Sequence, residues 1–442
     1  MPSLALAAIL NAMNSDWIYS SLYYYTHPLW KICATLLIPL VLAYLAALVA
    51  TMVIERDRVV KLLDIATFVI GAFFTYDILK RNGTLEGNHA IAIKILIAAS
   101  VLAAAVIASI RLSRNVLNRL RVAILAGSAL FLLTPEVVFP VEHVREVQIS
   151  PFFHPAPVST PTNTVVVILD ELSYLQPSSI ANRLRGDGRT VFERGVLASG
   201  SETSSSIPGL FSGIKMTDAR ACTPSAMCAD AGMFDFAKQQ VTRKNTNIAG
   251  FYHPYCLMQG LVYCRQIAVF GPASITVGYA CNLIKEFTNS WRPEMCETQW
   301  LNSARAMQAR RAIQDAAFAA PFWTDGGTLY IHTPLPHPPG ASDGGTLDDD
   351  YAGNVKLASD LVRELTAKLE RKFGDNYLLV ITADHPLRIN VWCSMYRYQR
   401  PGCAVSKRFA STMVPLIAVG NGAESLMSVE NNFQLFERLR SL

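Results

Sequence analysis

The chain has 442 residues, 51% of them apolar and only 17% charged, with a net charge of +5 and a mean hydropathy of +0.26. A soluble chain usually carries about 25% charged residues, so neither a wholly soluble nor a disordered protein fits. No basic stripe with interleaved aromatic residues is present, which argues against nucleic acid as a partner.

In chain order, residues 4–13 form a short apolar stretch, an interfacial or partial helix, and no basic region precedes it as a signal peptide would require. Four longer apolar runs follow at about 32–54, 62–79, 91–110 and 122–140, close to the roughly 20 residues that a bilayer crossing takes. Arg56, Arg58 and Lys61 follow the first run, and Arg111, Arg114, Arg119 and Arg121 follow the third. Positive charge marks the cytoplasmic side, so both loops are expected inside. No Lys or Arg precedes His27, which places the N-terminus outside, and an even number of crossings returns the chain to the outside. Asp64, Asp77 and Lys94 fall near the ends of these runs, where long side chains reach the interface.

The expected organisation is a transmembrane bundle of about four helices over residues 1–145, a Pro-rich linker over 146–163 and a catalytic domain over 164–442. Pro151, Pro155, Pro157 and Pro161 keep the linker extended. Cys33 lies in the first run, and the other eight cysteines all follow the linker. Short loop closure offers Cys222 with Cys228, Cys256 with Cys264, Cys281 with Cys296, and Cys393 with Cys403, one of the 105 pairings that eight cysteines allow. Their spacings do not resemble zinc-finger or zinc-ribbon ligands, so an oxidising compartment is the better account.

Residues 164–169 are apolar and β-branched on both faces, the pattern of a strand buried inside a sheet. Similar runs recur at 247–252, 328–332, 377–382 and 414–419, and helix-like stretches at 304–320 and 354–371 lie among them. Alternating strands and helices predict an α/β/α sandwich around a largely parallel sheet. Polar residues at the C-terminal ends of such strands are the place to look for chemistry. Three ends carry metal-ligating or acid–base groups: Asp170-Glu171, then His332 and His337 within Ile331-His-Thr-Pro-Leu-Pro-His337, then Asp384-His385. His253 follows another strand, beside Tyr252 and Cys256, in a position to line an acceptor pocket or a packed corner. The stretch Ser199-Gly-Ser-Glu-Thr203-Ser-Ser-Ser-Ile-Pro208 is rich in hydroxyls and runs into a helix-like turn, where backbone N–H groups favour an anion.

This ordered set resembles the alkaline phosphatase/sulfatase superfamily, and the membrane-plus-domain layout is similar to phosphoethanolamine transferases and lipoteichoic acid synthases. Thr203-Ser-Ser-Ser-Ile-Pro208-Gly-Leu-Phe-Ser resembles the transferases' nucleophile segment, a Thr five residues before a Pro. His332 and His337 keep the five-residue spacing of that family's L-H-x-x-G-S-H-G-P, Thr382-Ala-Asp384-His385 resembles its [ST]-[SGA]-D-H, and Val166-Val-Ile-Leu-Asp170-Glu171 resembles its first metal-ligand strand. Pro386 stands where the family usually has Gly, no complete second-metal set is evident, and the C/S-x-P-x-R motif of sulfatases is absent after Thr203.

The resemblance implies a Zn²⁺ or Mn²⁺ ion held by Asp170, Asp384 and His385, with Glu171 as an alternative or additional ligand and Thr203 as the metal-activated nucleophile. It implies that His337, and with it His332, binds phosphoryl oxygens or protonates the leaving group, while Arg388 pairs with phosphate and His253 contacts substrate. It further implies a phospholipid donor, an envelope glycan or lipid acceptor, and a multi-pass enzyme of the bacterial inner (cytoplasmic) membrane whose catalytic domain is periplasmic. The alternatives are a phosphodiesterase or sulfatase-like hydrolase, and a catalytically inactive protein of envelope assembly.

Overall fold

The computed structural model describes residues 163–175, 178–223, 225–241, 243, 245–267, 303–340, 345–399, 403 and 409–441. The four apolar runs, their basic loops, the Pro-rich linker, both domain boundaries before residue 163, and the Cys281–Cys296 pairing lie outside these residues. Among the described residues no helix is long and apolar enough to cross a membrane.

The strands are β1 (Asn163–Asp170), β2 (Val191–Leu197), β3 (Arg220–Ala221), β4 (Ala226–Ala229), β5 (Gly232–Asp235), β6 (Thr246–Phe251), β7 (Leu261–Ile267), β8 (Thr328–Pro336), β9 (Tyr377–Ala383) and β10 (Met413–Gly420). The α-helices are α1 (Ser179–Gly186), α2 (Thr203–Ser212), α3 (Ser303–Ala319), α4 (Phe322–Asp325), α5 (Leu347–Phe373), α6 (Ile389–Cys393), α7 (Tyr396–Gln399) and α8 (Asn432–Ser441).

Seven strands form one sheet in the order β2-β10-β9-β1-β8-β6-β7, and β10 alone runs against its neighbours. The five strands expected from apolar runs are β1, β6, β8, β9 and β10. The expected largely parallel sheet is present, with β10 as the antiparallel member. Successive side chains of a strand point to opposite faces. Val165, Val166 and Val167 are all 0% exposed, so both faces of the sheet are covered. Strands β2 and β7 were not expected. They are the two edges, half-exposed and carrying Glu193, Arg194 and Arg265, so no continuous apolar run marks them.

Helices α3 and α5 take the expected positions, but α5 begins seven residues earlier, at Leu347 rather than 354. Its first turn holds Asp348, Asp349 and Asp350, which read as loop in sequence but favour the positive end of a helix dipole. Thr346 caps that end by accepting the Asp349 N–H at 3.1 Å. On the other side of the chain, the rings of Phe211 from α2, Phe436 from α8 and Tyr330 from β8 pack together, with Tyr330 and Phe436 stacked at 5.3 Å. Three disulfides join Cys222 to Cys228, Cys256 to Cys264 and Cys393 to Cys403, all of them among the short pairs expected. The first closes the small antiparallel sheet β3-β4-β5, and the third closes the segment that follows α6.

Candidate active site

Parallel strands deliver their C-terminal ends to one edge of the sheet, and four neighbours do so here. Strand β1 ends in Asp170, β9 runs into Asp384 and His385, β8 leads to His337, and β6 leads to His253. A register shift between Leu169 and Asp170 ends the regular β1 ladder there. Glu171 then takes φ 63°, the left-handed region, so the carboxyls of 170 and 171 take different directions. That conformation costs a non-glycine residue roughly 1–2 kcal/mol, and it is held by a hydrogen bond from the Glu171 N–H to Asp384 Oδ1 at 3.1 Å.

Thr203 is the first residue of α2. Glu202 precedes it in extended conformation, and its carbonyl accepts the Ser205 and Ser206 N–H groups. Pro208 falls within α2 and removes one rung of its ladder, and Gly213, at φ 74°, closes the helix by donating to the Gly209 carbonyl. The Thr203 hydroxyl donates to Asp384 Oδ2 at 2.8 Å and lies 3.4 Å from Asp170 Oδ1 and 3.3 Å from His385 Nε2. One proton cannot satisfy three acceptors. His385 Nδ1 lies 3.0 Å from the Pro386 carbonyl, which can only accept, so Nδ1 carries the ring proton and Nε2 turns its lone pair toward Thr203. That is the tautomer a metal ligand needs.

Ligand atoms of Asp170, Asp384 and His385 lie within 4.8 Å of one another, and all three residues are buried. Burial first, then the charges of Asp384 and Glu171, push the Asp170 carboxyl well above its usual range. Burial acts the same way on Asp384, but His385, His332 and the hydrogen bonds it accepts outweigh it and hold its pKa low. Arg388 is the one guanidinium in ion-pair contact with this carboxylate group, at 2.5 Å from Glu171, and a deficit of positive charge remains. Converging lone pairs, a lone-pair-donating imidazole and surplus negative charge together fit a divalent cation with N and O ligands.

Glu171 is not part of that cluster. Its Oε1 accepts from Arg388 Nε at 2.5 Å and its Oε2 from Trp392 Nε1 at 2.6 Å. The structure thus separates the two acids that the sequence left as alternatives.

A cavity of about 240 Å³ opens beside Thr203, lined by Asp170, Glu202, Arg388 and His337 on its polar side and by Phe251, Tyr252, Trp392 and Met395 among its apolar walls. His337 packs edge-on against Trp392 at 4.8 Å, and its Nδ1 donates to the Pro338 carbonyl. Burial pushes its pKa down to about 4, so near neutrality the ring is uncharged and Nε2 is a base. His332 and His253 lie away from the cavity, behind Phe251 and beneath α2. His332 is 1% exposed, shares a 2.8 Å hydrogen bond with Tyr255 and packs on Phe251 at 4.4 Å. His253 is 0% exposed, and its Nε2 bonds the Thr203 carbonyl at 2.9 Å. The structure therefore brings Asp170, Thr203, Asp384, His385, His337 and Arg388 together, and sets His332 and His253 behind them.

Sequence reasoning missed Arg310 and Asn354. Arg310 donates to the carbonyls of Pro334, His337 and Pro339, and Asn354 to those of Pro336, His337 and Pro339. They also bond each other at 3.0 Å, so α3 and α5 jointly hold the Pro-rich loop that carries His337. A Pro-rich loop has few N–H groups with which to hold itself, which is the signal that could have pointed to outside donors.

No protein-family model matches the chain, and no curated protein matches it. The solved structures to which it is similar include members of the alkaline phosphatase superfamily. One is a protein of that superfamily from Vibrio parahaemolyticus, at 12% identity over 65% of this chain and 68% of that one, TM-score 0.32. Others are the integral membrane protein lipooligosaccharide phosphoethanolamine transferase A from Neisseria meningitidis, at 11% over 99% and 91%, TM-score 0.31, and the lipoteichoic acid synthase LtaP from Listeria monocytogenes, at 11% over 61% and 70%, TM-score 0.33. At such identities and TM-scores, the functional reading rests on the site's own geometry.

Proposed function

We propose that the chain is a membrane-anchored, metal-dependent transferase of alkaline phosphatase type, which moves a phosphoethanolamine- or phosphoglycerol-type head group from a phospholipid to an envelope glycan or lipid. The observation that carries this reading is the Thr203 hydroxyl at a helix N-terminus, within 3.4 Å of Asp170, Asp384 and His385. The apolar runs before residue 145 supply the anchor and place the catalytic domain at the periplasmic face.

Asp170, Asp384 and His385 are the residues that would hold Zn²⁺ or Mn²⁺, and such an ion supplies charge neutralisation and a lowered hydroxyl pKa. Asp384 Oδ2, already the acceptor of the Thr203 proton, keeps Oγ1 aimed by that bond. Oγ1 attacks phosphorus in line, the Oγ1–P bond forms and the bond to the lipid oxygen breaks. The N–H groups of the first turn of α2 and the Arg388 guanidinium bind the non-bridging oxygens. The departing alkoxide takes its proton from water at the cavity mouth. His337, held neutral, then accepts the proton of the acceptor hydroxyl, whose oxygen displaces Thr203 from phosphorus.

Thr203→Ala tests the reading directly. Turnover falls by at least about a thousandfold, some 4 kcal/mol of barrier, while bound metal is retained. Brief reaction of the wild-type chain with a phospholipid donor gives a phospho-adduct that peptide mass spectrometry maps to Thr203. Near-wild-type turnover in the variant, or an adduct on Ser201, Ser204, Ser205 or Ser206, refutes it.

A further inference from the structure

We infer that Glu171 is the positioning residue of an anion clamp: together with Trp392 it fixes the Arg388 guanidinium so that its two terminal nitrogens open onto the cavity beside Thr203. The inference rests on the proposed function and assigns Glu171 a role other than metal ligation.

Both oxygens of Glu171 are already engaged, at 2.5 Å by Arg388 Nε and at 2.6 Å by Trp392 Nε1. The side chain is 0% exposed, so no water supplies a substitute partner. Turning either oxygen toward Asp384 and His385 would strip a buried donor of its acceptor, a change that costs more than the bond itself. The backbone supports the same division of labour. At φ 63° the residue sends its N–H to Asp384 Oδ1 and its carboxylate to Arg388. One residue thus sets the geometry of the metal cluster through its main chain and that of the cation through its side chain.

Arg388 is held by only one edge of its fork. Among the described residues the nearest further carboxylate is Glu202, with Oε2 at 3.8 Å from Nη1, beyond hydrogen-bond distance. Arg388 and Thr203 line the same cavity. A planar guanidinium pinned at Nε presents Nη1 and Nη2 as a pre-set pair of donors, the geometry that takes two oxygens of a phosphate monoester or diester. Trp392 shares the anchor and also packs on His337, so the clamp and the proposed base are set from one carboxylate.

The test uses the full-length chain in detergent, with bis(p-nitrophenyl) phosphate as substrate and inorganic phosphate as competing anion. Bound metal is counted by mass spectrometry. Glu171→Gln keeps the wild-type metal content but weakens phosphate inhibition by about tenfold and lowers kcat, as expected for a misaligned charge-assisted donor pair. Arg388→Gln does the same, and the double variant is no worse than Arg388→Gln alone, because Glu171 acts through Arg388. Arg388→Lys keeps the charge, loses the fork, retains metal and still binds phosphate weakly. It reports on the clamp even where Glu171→Gln fails to fold. Loss of metal from Glu171→Gln shows a ligand and overturns the inference, as do additive losses in the double variant or unchanged phosphate inhibition in Arg388→Gln and Arg388→Lys. A wild-type chain that binds metal and turns over the diester while Glu171→Gln is indistinguishable from it removes the clamp alone. A wild-type chain with neither metal nor turnover removes the proposed function and the clamp together.

Discussion

The two histidines beneath the nucleophile make the folded domain acid-labile, by an amount that follows from their burial. His253 and His332 are 0% and 1% exposed. Burial first, and then for His253 the neighbouring His332, lower their pKa values to about 3 and about 4. In the unfolded chain each titrates near 6.5. Between that value and the folded pKa the unfolded state binds more protons, so this stability is present above about pH 6.5 and lost as pH falls. From pH 7 to pH 5 each group gives up about 2 kcal/mol, or about 4 kcal/mol together. For a domain of this size that is a fall of roughly 10 °C in melting temperature. Asp170 runs the other way, since its raised pKa favours the folded state in acid, so the informative quantity is a difference between variants. Melting of the full-length chain is followed by tryptophan fluorescence at pH 7, 6 and 5, in wild type and in His253→Asn with His332→Gln. The double variant is less stable at pH 7 but loses about 4 kcal/mol less on acidification. Parallel pH dependence in the two proteins refutes the reasoning.

Three further outcomes are expected. Exhaustive chelation abolishes turnover, and Zn²⁺ or Mn²⁺ restores it; full activity in protein shown to be metal-free counts against the ion. Arg310→Met leaves three loop carbonyls short of a donor and lowers stability by about 3 kcal/mol or more, with a larger loss of kcat than of bound metal; wild-type stability in urea would sink the loop-clamp account. Replacing Cys393 and Cys403 by Ser costs about 2–4 kcal/mol and slackens α6, so phosphate inhibition weakens through Trp392 and Arg388; unchanged inhibition constants separate the disulfide from the site.

Much of the site was legible because its chemistry sits where strands stop. The runs ending at Asp170, His332 and Asp384 are apolar on both faces, so the first polar residue after each marks a strand end at a common edge of the sheet. The short cysteine pairs were legible for a related reason, since a separation of 6, 8 or 10 residues limits where the partner can be. Edge strands β2 and β7 escaped notice because an edge needs no continuous apolar run. The first turns of α5 escaped because acidic residues favoured at a helix start look like loop residues in a linear reading.

By itself the sequence determined the strand cores, the mostly parallel sheet, the order of the polar strand ends and the hydroxyl-rich segment that leads into α2. These follow from local pattern, the two-residue period of a strand and the punctuation of helix ends. Only the tertiary structure decided which members of that set share a site. Asp170 and Glu171 are adjacent and chemically alike, and a register shift with one left-handed residue sends one toward Thr203 and the other to Arg388 and Trp392. His332 and His337 are five residues apart, yet one is packed against Phe251 and Tyr255 while the other lines the cavity. Arg310 and Asn354 hold a loop from helices distant in sequence. Direction, burial and partners separated by dozens to hundreds of residues are set by packing in three dimensions, and a linear pattern does not carry them.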